Sequence, residues 1–224
     1  MVTTTLLFIS GAGLPDWIWD EAGEGLDATV AKRPWRTNAT LQEYAQAALA
    51  GTGSGPLTLV AHSSGGVVAA VMLALAPERI RGLLAITAVI PDPGRSFIGM
   101  MPVPQRYVLG PVMRVAGTRP TESAIRASLA AGVTEELRKR LVLDFDPESQ
   151  SYYRNRVPRF PRPERRGYLT TTQDKEFSPT LQRGFAARLE PGYEREIESG
   201  HLPMLEYPSE LRAGIAEFHA SVRA

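Results

Sequence analysis

Residues 57–66 read Leu57-Thr58-Leu59-Val60-Ala61-His62-Ser63-Ser64-Gly65-Gly66. Leu57 to Ala61 is apolar and short, bounded by glycine and serine, and reads as a buried strand. Ser64 to Ala76 is apolar almost all round and reads as a buried helix, stopped by Pro77. Between them lies small-x-Ser-x-Gly, with Ser63 on the sharp strand-to-helix turn. Such a turn tolerates only small neighbours, which Ala61, Gly65 and Gly66 supply. It lifts the hydroxyl clear of the sheet at its C-terminal edge, where the amides of the following helix point.

Outward from this turn the chain alternates. Thr3 to Ile9 is a β-branched, apolar strand ending in the loop Ser10-Gly11-Ala12-Gly13. Trp17 to Leu26 is a short helix candidate and Ala28 to Lys32 a strand. Thr40, with Glu43 three residues on, makes a capping box ahead of a helix over Leu41 to Ala50. Ile80 to Val89 is a further strand. Later, Gly167 to Thr172 and Tyr193 to Ile197 read as strands, Thr180 to Leu189 and Pro208 to Val222 as helices. Strand–helix alternation of this kind predicts an α/β fold with an open, mostly parallel sheet.

Residues 91–166 break the rhythm. Helices are expected near Pro104 to Val115, Thr121 to Ala131, Thr134 to Leu143 and from Asp146 to Arg156. The expected organisation is a core of residues 1–90 and 167–224 with a helical cap insertion at 91–166. A basic run (Arg154, Arg156, Arg159, Arg162, Arg165 and Arg166, opposed by Glu164) reads as a solvated connection, because no aromatic residues interleave it as single-strand binders require.

A serine hydroxyl is a weak nucleophile and needs a base within hydrogen-bond reach. His201, in the loop after the last strand, is the candidate. His62 adjoins Ser63, but neighbours on a sharp turn point apart, and His219 lies within the terminal helix. The base needs a carboxylate to orient it. Asp174 follows the strand ending near Thr172, and Asp92 is the competing acid. Two backbone donors are expected for an oxyanion: the N–H of Ser64 and, from the first glycine loop, that of Ala12.

The 224 residues suit one good-sized domain, and Lys+Arg 25 against Asp+Glu 24 creates no field to recruit nucleic acid or a membrane. The sequence has no cysteine, so disulfides, thiolate catalysis and iron–sulfur clusters are excluded, and three histidines leave little for a metal site. Met1 to Ile9 lacks a basic start, so no signal peptide is expected. A cytoplasmic monomer or homodimer without cofactor or metal is the expectation.

These residues resemble the α/β-hydrolase superfamily. Ala61-His62-Ser63-Ser64-Gly65-Gly66 is similar to its Gly-His-Ser-x-Gly-Gly. Gly200-His201-Leu202-Pro203-Met204-Leu205-Glu206-Tyr207-Pro208 resembles its Gly-His-x-Pro-x-x-Glu-x-Pro signature. Ser10 to Trp19 and Thr171-Thr172-Gln173-Asp174 resemble loops of the plant-type esterase and hydroxynitrile lyase group. The resemblance implies an α/β-hydrolase fold of about six strands. It also implies a Ser63–His201–Asp174 triad that cleaves ester-like carbonyls through an acyl-enzyme. The lyases of that group carry threonine at the position of Gly11 and lysine at that of Leu202, so hydrolysis is favoured here. The alternatives are a lyase, cyclase, dehydratase or C–C hydrolase on the same scaffold, or a ligand-binding protein. The substrate is expected to be a small apolar molecule held by Gly11, Trp17, Met100, Met101, Tyr107 and Leu202 beneath a Met-containing roof.

Overall fold

The computed structural model describes residues 4–223, so Thr3, where the first strand was expected to begin, lies outside the described residues. The strands are β1 (Thr5–Ile9), β2 (Ala28–Val30), β3 (Leu57–His62), β4 (Ile80–Ile86), β5 (Arg165–Thr171) and β6 (Tyr193–Ile197). They form one sheet in the order β2-β1-β3-β4-β5-β6, parallel throughout. Parallel neighbours cannot be joined by tight turns, so each connection crosses a face of the sheet. The helices are α1 (Leu41–Ala50) and α2 (Gly65–Leu75). Between β4 and β5 come α3 (Phe97–Met100), α4 (Gln105–Ala116), α5 (Glu122–Ala124), α6 (Glu135–Asp144) and α7 (Gln150–Arg154). The chain ends with α8 (Pro179–Leu189), α9 (Pro203–Glu206) and α10 (Pro208–Arg223).

The period of two along each strand sorts the core into two layers. Leu7, Ile9, Leu59, Ala61, Leu83 and Ala85 pack with residues of α1, α2 and α8 on one face. Leu6, Phe8, Val60, Leu84 and Ile86 pack with Trp19 and with Leu211, Ile215 and Phe218 of α10 on the other. Sandwiched between the sheet and α1, α2 buries Val67 through Leu73 almost completely. Each such side chain contributes roughly 1.5–3 kcal/mol relative to exposure, somewhat less for alanine.

The direction of winding reverses between β1 and β3. From β1 the chain turns outward to β2, and from β3 it proceeds the other way to β4. This reversal opens a crevice at the carboxyl ends of these two strands, and β1 delivers the glycine loop there while β3 delivers Ser63.

Several elements differ from the sequence expectation. Trp17 to Leu26 is a single 3₁₀ turn, Asp16–Trp19, because Gly23 and Gly25 follow and Gly25 takes φ 75°. β4 stops at Ile86, since Thr87 adopts φ 39° and leaves the sheet. The Asp146 start gives way to α7, where the Ser149 side chain caps the Tyr152 amide. The stretch from Thr121 continues α5 into a π-turn over Ile125–Leu129. The capping box of Thr40 and Glu43 is present on both sides. In the basic run, Arg166 donates to the carbonyls of Pro163, Glu164 and Glu190, and Arg162 pairs with Glu190 at 3.0 Å. Among the described residues, no helix is long and apolar enough to cross a membrane.

Candidate active site

Ser63 has φ 53°, a left-handed conformation that costs a non-glycine residue about 1–2 kcal/mol. The turn is held from both sides: the Ser63 N–H donates to Ile86 (3.2 Å), and its carbonyl accepts from Val89 (2.9 Å) and Gly66 (3.3 Å). The helix can follow so abruptly only because its first residues lack side chains. A methyl on Gly65 would collide with the Ile9 carbonyl, and one on Gly66 with that of Val89.

The structure brings Ser63, His201 and Asp174 into one line. Ser63 Oγ lies 2.9 Å from His201 Nε2, and His201 Nδ1 lies 2.8 Å from Asp174 Oδ2. His201 comes from the loop between β6 and α9, and Asp174 from the turn after β5, so all three stand at the same edge of the sheet. The imidazole is buried and meets the Phe177 ring edge-on at 5.2 Å. Asp92 takes no part: it is exposed and pairs with Arg188 at 3.2 Å.

Asp174 is set in a dense shell of donors. Its Oδ2 also accepts from Thr87 Oγ1 (2.7 Å), Thr171 Oγ1 (3.1 Å) and Gln182 Nε2 (3.3 Å). Its Oδ1 accepts from the amides of Glu176 (2.7 Å) and Phe177 (3.0 Å). Burial alone would raise its pKa, but attraction to His201 and these hydrogen bonds outweigh it and hold the carboxyl at about 2. Thr87 and Gln182 escape notice in the sequence. A threonine after a strand and a glutamine on an apolar helix face carry no motif.

His62 points to the other side of the turn. Its Nε2–H donates to the His201 carbonyl at 2.8 Å, which ties the imidazole-bearing loop to the end of β3. Full burial, and then the nearby His201, hold its pKa at about 3, so it stays neutral. The unfolded chain therefore binds a proton between pH 6.5 and 3 that the folded chain does not, and stability falls as pH drops through that window. Asp174 acts in the same direction lower down, between 3.8 and 2. The unfolding free energy from urea titration is expected to fall from neutral pH towards pH 4.5 with a slope of about 1 kcal/mol per pH unit. In His62→Asn that slope should be shallower, and an unchanged slope would remove His62 as its source.

The two expected oxyanion donors are not equivalent. Ser64 provides the first amide after Ser63. The Ala12 N–H, however, does not face the cavity unpartnered: it donates to Ser64 Oγ at 2.7 Å. Ser64 Oγ also accepts from the Tyr152 hydroxyl at 3.1 Å. The expectation gave Ser64 a backbone role alone and left the Ala12 amide open, whereas here that amide is already engaged by the Ser64 side chain. The glycine loop itself is fixed by Trp19 Nε1 donating to Ser10 Oγ (2.9 Å) and by Gly13 N–H donating to Glu148 (3.3 Å).

Beside Ser63 and His201 lies a cavity of about 380 Å³, within the range of small-molecule sites. Gly11 and Met101 line it, as expected, with Phe97, Leu109, Met113 and Phe145. Four other expected residues do not. Tyr107 is on the outer face of α4 and 67% exposed. Gln105, Leu109 and Met113, spaced by four, form the inner face, and Tyr107 lies about 200° around from Gln105. Phe97 and Met101 face inward, and Met100 turns back to accept from the Asp92 amide. Trp17 points away, bonded to Asp144 at 2.9 Å with the Arg140 guanidinium 4.1 Å above its ring. Leu202 is fully buried in the core layer that holds α10 and does not border the cavity. Tyr153, Phe177 and Glu176, which sequence reasoning missed, line the cavity as well. A side chain on Gly11 would have its Cβ 2.9 Å from Ser63 Cβ and 3.1 Å from His62 Nδ1, so a threonine there does not fit.

A parallel sheet in this order, with a serine on a strained strand-to-helix turn and a histidine reaching it from beyond the last strand, defines the α/β-hydrolase class. The chain belongs to the alpha/beta hydrolase family, whose model matches residues 6–213. No curated protein matches it in sequence. Among solved structures, an extracellular alpha/beta-hydrolase from a Paenibacillus species superposes with a TM-score of 0.81 at 16% identity, over 96% of this chain and 98% of that one. A polyneuridine aldehyde esterase variant gives 0.76 at 17% identity, over 96% and 98%. A variant of tomato methylketone synthase I, complexed with beta-ketoheptanoate, gives 0.76 at 13% identity, over 99% and 100%. These likenesses are of fold.

Proposed function

We propose that this chain is a serine hydrolase that cleaves a neutral, largely apolar ester through an acyl-enzyme on Ser63. The observation that carries the proposal is the unbroken hydrogen-bonded line from Ser63 Oγ through His201 to Asp174, opening on an apolar cavity. His201 Nε2 takes the Ser63 proton as Oγ attacks the carbonyl carbon, and the C=O electron pair moves onto oxygen. The Ser64 amide stabilises that oxygen. The pair then returns, the bond to the leaving alkoxide breaks, and His201 delivers the proton to it. Water repeats the sequence and frees the acid. Asp174 remains ionised throughout, holding Nδ1–H and the imidazolium. Each of these steps is carried by groups of this chain, the Ser64 backbone amide among them, and by water.

Substrate character follows from the walls. Apolar side chains dominate the cavity, and Glu176 is the one carboxylate among its lining residues. A neutral ester is favoured, and an acyl group with its own carboxylate is disfavoured by repulsion. The residues between β4 and β5 supply most of these walls, which gives that insertion the role of a specificity cap.

A fluorophosphonate probe and a panel of short and medium esters, lactones and thioesters test the reading. Probe mass on Ser63 together with turnover of neutral esters is the expected result. A probe that fails to modify Ser63 would return the chain to a binding role. Modification without turnover of any panel member would point to lyase, cyclase or dehydratase chemistry instead.

A further inference from the structure

We propose that the side-chain hydroxyl of Ser64, rather than the Ala12 amide, is the second hydrogen-bond donor to the oxyanion. The assignment rests on the acyl-transfer reading above and specifies the machinery of that site. Ser64 Oγ receives two hydrogen bonds, from the Ala12 N–H at 2.7 Å and the Tyr152 O–H at 3.1 Å. A hydroxyl that accepts twice retains one directed capability, donation of its own proton. Among the described residues, no protein acceptor takes that proton, and Ser64 borders the cavity beside Ser63, Ala12 and His201.

The arrangement resists rotation. Turning Oγ away would leave the Ala12 amide and the buried Tyr152 hydroxyl without partners, and each such loss costs about 1–3 kcal/mol. Tyr152 is itself fixed, its ring packed edge-on against Tyr44 at 4.9 Å and Tyr153 at 5.1 Å. Burial pushes its pKa well up, so the phenol remains protonated and continues to donate. Two bonds into Oγ polarise its O–H and make it a stronger donor to a developing negative charge. Ala12 and Tyr152 are thus positioning residues that act through Ser64. No bond is made or broken in this role. The charge on the substrate oxygen is met by the Ser64 N–H and the Ser64 O–H, and the proton stays on Oγ.

The test compares wild type, Ser64→Ala and Tyr152→Phe for kcat and KM on a neutral ester, for fluorophosphonate modification at Ser63, and for thermal midpoint. Removing one oxyanion donor costs about 10²–10³ in kcat where nothing replaces it. Ser64→Ala also frees the Ala12 amide, so a loss of about 10- to 100-fold in kcat is expected, with KM within about threefold. Tyr152→Phe should lower kcat about 3- to 10-fold at unchanged KM, since Oγ keeps one of its two donors. A Ser64→Ala enzyme with unchanged or higher kcat would overturn the proposal and show that the hydroxyl merely covers the Ala12 donor. If Ser64→Ala does not fold, Tyr152→Phe decides: unchanged kcat overturns the relay. Probe addition at Ser63 in the wild type separates the two levels. Without it the hydrolase reading fails; with it, an undiminished Ser64→Ala defeats only the present assignment.

Discussion

Ser63→Ala is expected to lower kcat on a neutral ester by about 10⁴- to 10⁶-fold and to leave the fold intact. The size follows from the absence of a substitute. The adjacent residue's hydroxyl, Ser64 Oγ, is held by Ala12 and Tyr152 and makes no hydrogen bond to His201. His201 could then activate only water, and the residual rate would reflect binding and oxyanion stabilisation alone. Stability should change by less than about 1 kcal/mol, because alanine bears the left-handed backbone at a cost similar to serine's. Ser63→Gly separates the two properties. It should be as inactive, yet more stable than Ser63→Ala by about 1 kcal/mol, since glycine adopts positive φ freely. Steady-state kinetics and urea unfolding of the three proteins measure both. Wild-type turnover in Ser63→Ala would sink the mechanism.

The parts of this molecule that could be read from sequence are those where one physical constraint dominates. β3 and α2 are buried on every side, so their composition is nearly uniform, and the sharp turn between them demands small residues at 61, 65 and 66. The two loops carrying Asp174 and His201 follow strands, and parallel topology sends every such loop to the same edge. The cavity was read less well because its walls depend on helix phase and on distant loops. Whether Tyr107 or Leu109 faces inward is a matter of rotation about α4, which the apolar pattern does not fix when both faces carry hydrophobic residues. Val108, Val112 and Val115 are 54%, 50% and 90% exposed on that helix. Phe145 reaches the site from the loop before α7, Tyr153 from α7 itself and Phe177 from the loop after β5, and no local spacing relates them. Ser64 is legible in the sequence for its backbone N–H and not for its side-chain oxygen. The signal lies in the hydroxyl itself, placed one residue after Ser63 and opposite a loop with amides to satisfy.

Asp174→Asn is expected to lower kcat by about 10³- to 10⁴-fold and to destabilise the protein by roughly 2–4 kcal/mol. Both effects arise from the donor shell. Oδ2 accepts from His201, Thr87, Thr171 and Gln182, and Oδ1 from the Glu176 and Phe177 amides. An asparagine must place its NH₂ group against one of these sets, so donors face donors in either orientation. If NH₂ replaces Oδ2, His201 can satisfy it only by accepting at Nδ1. That tautomer carries the proton on Nε2, and the nitrogen beside Ser63 is no longer a base. If NH₂ replaces Oδ1, it meets two backbone amides that have no other acceptor, and the turn after β5 must shift. With a carboxyl pKa of about 2, Asp174 stays ionised around neutral pH, so its own titration should add no pH dependence to turnover there. Asp92→Asn is the control: its carboxylate pairs with Arg188 on the surface, and kcat should change by less than about twofold. Kinetics on the two variants, with fluorophosphonate modification rates alongside, distinguish them. Loss of activity in Asp92→Asn with full activity in Asp174→Asn would transfer the orienting role to the other acid and break the proposed line at its third member.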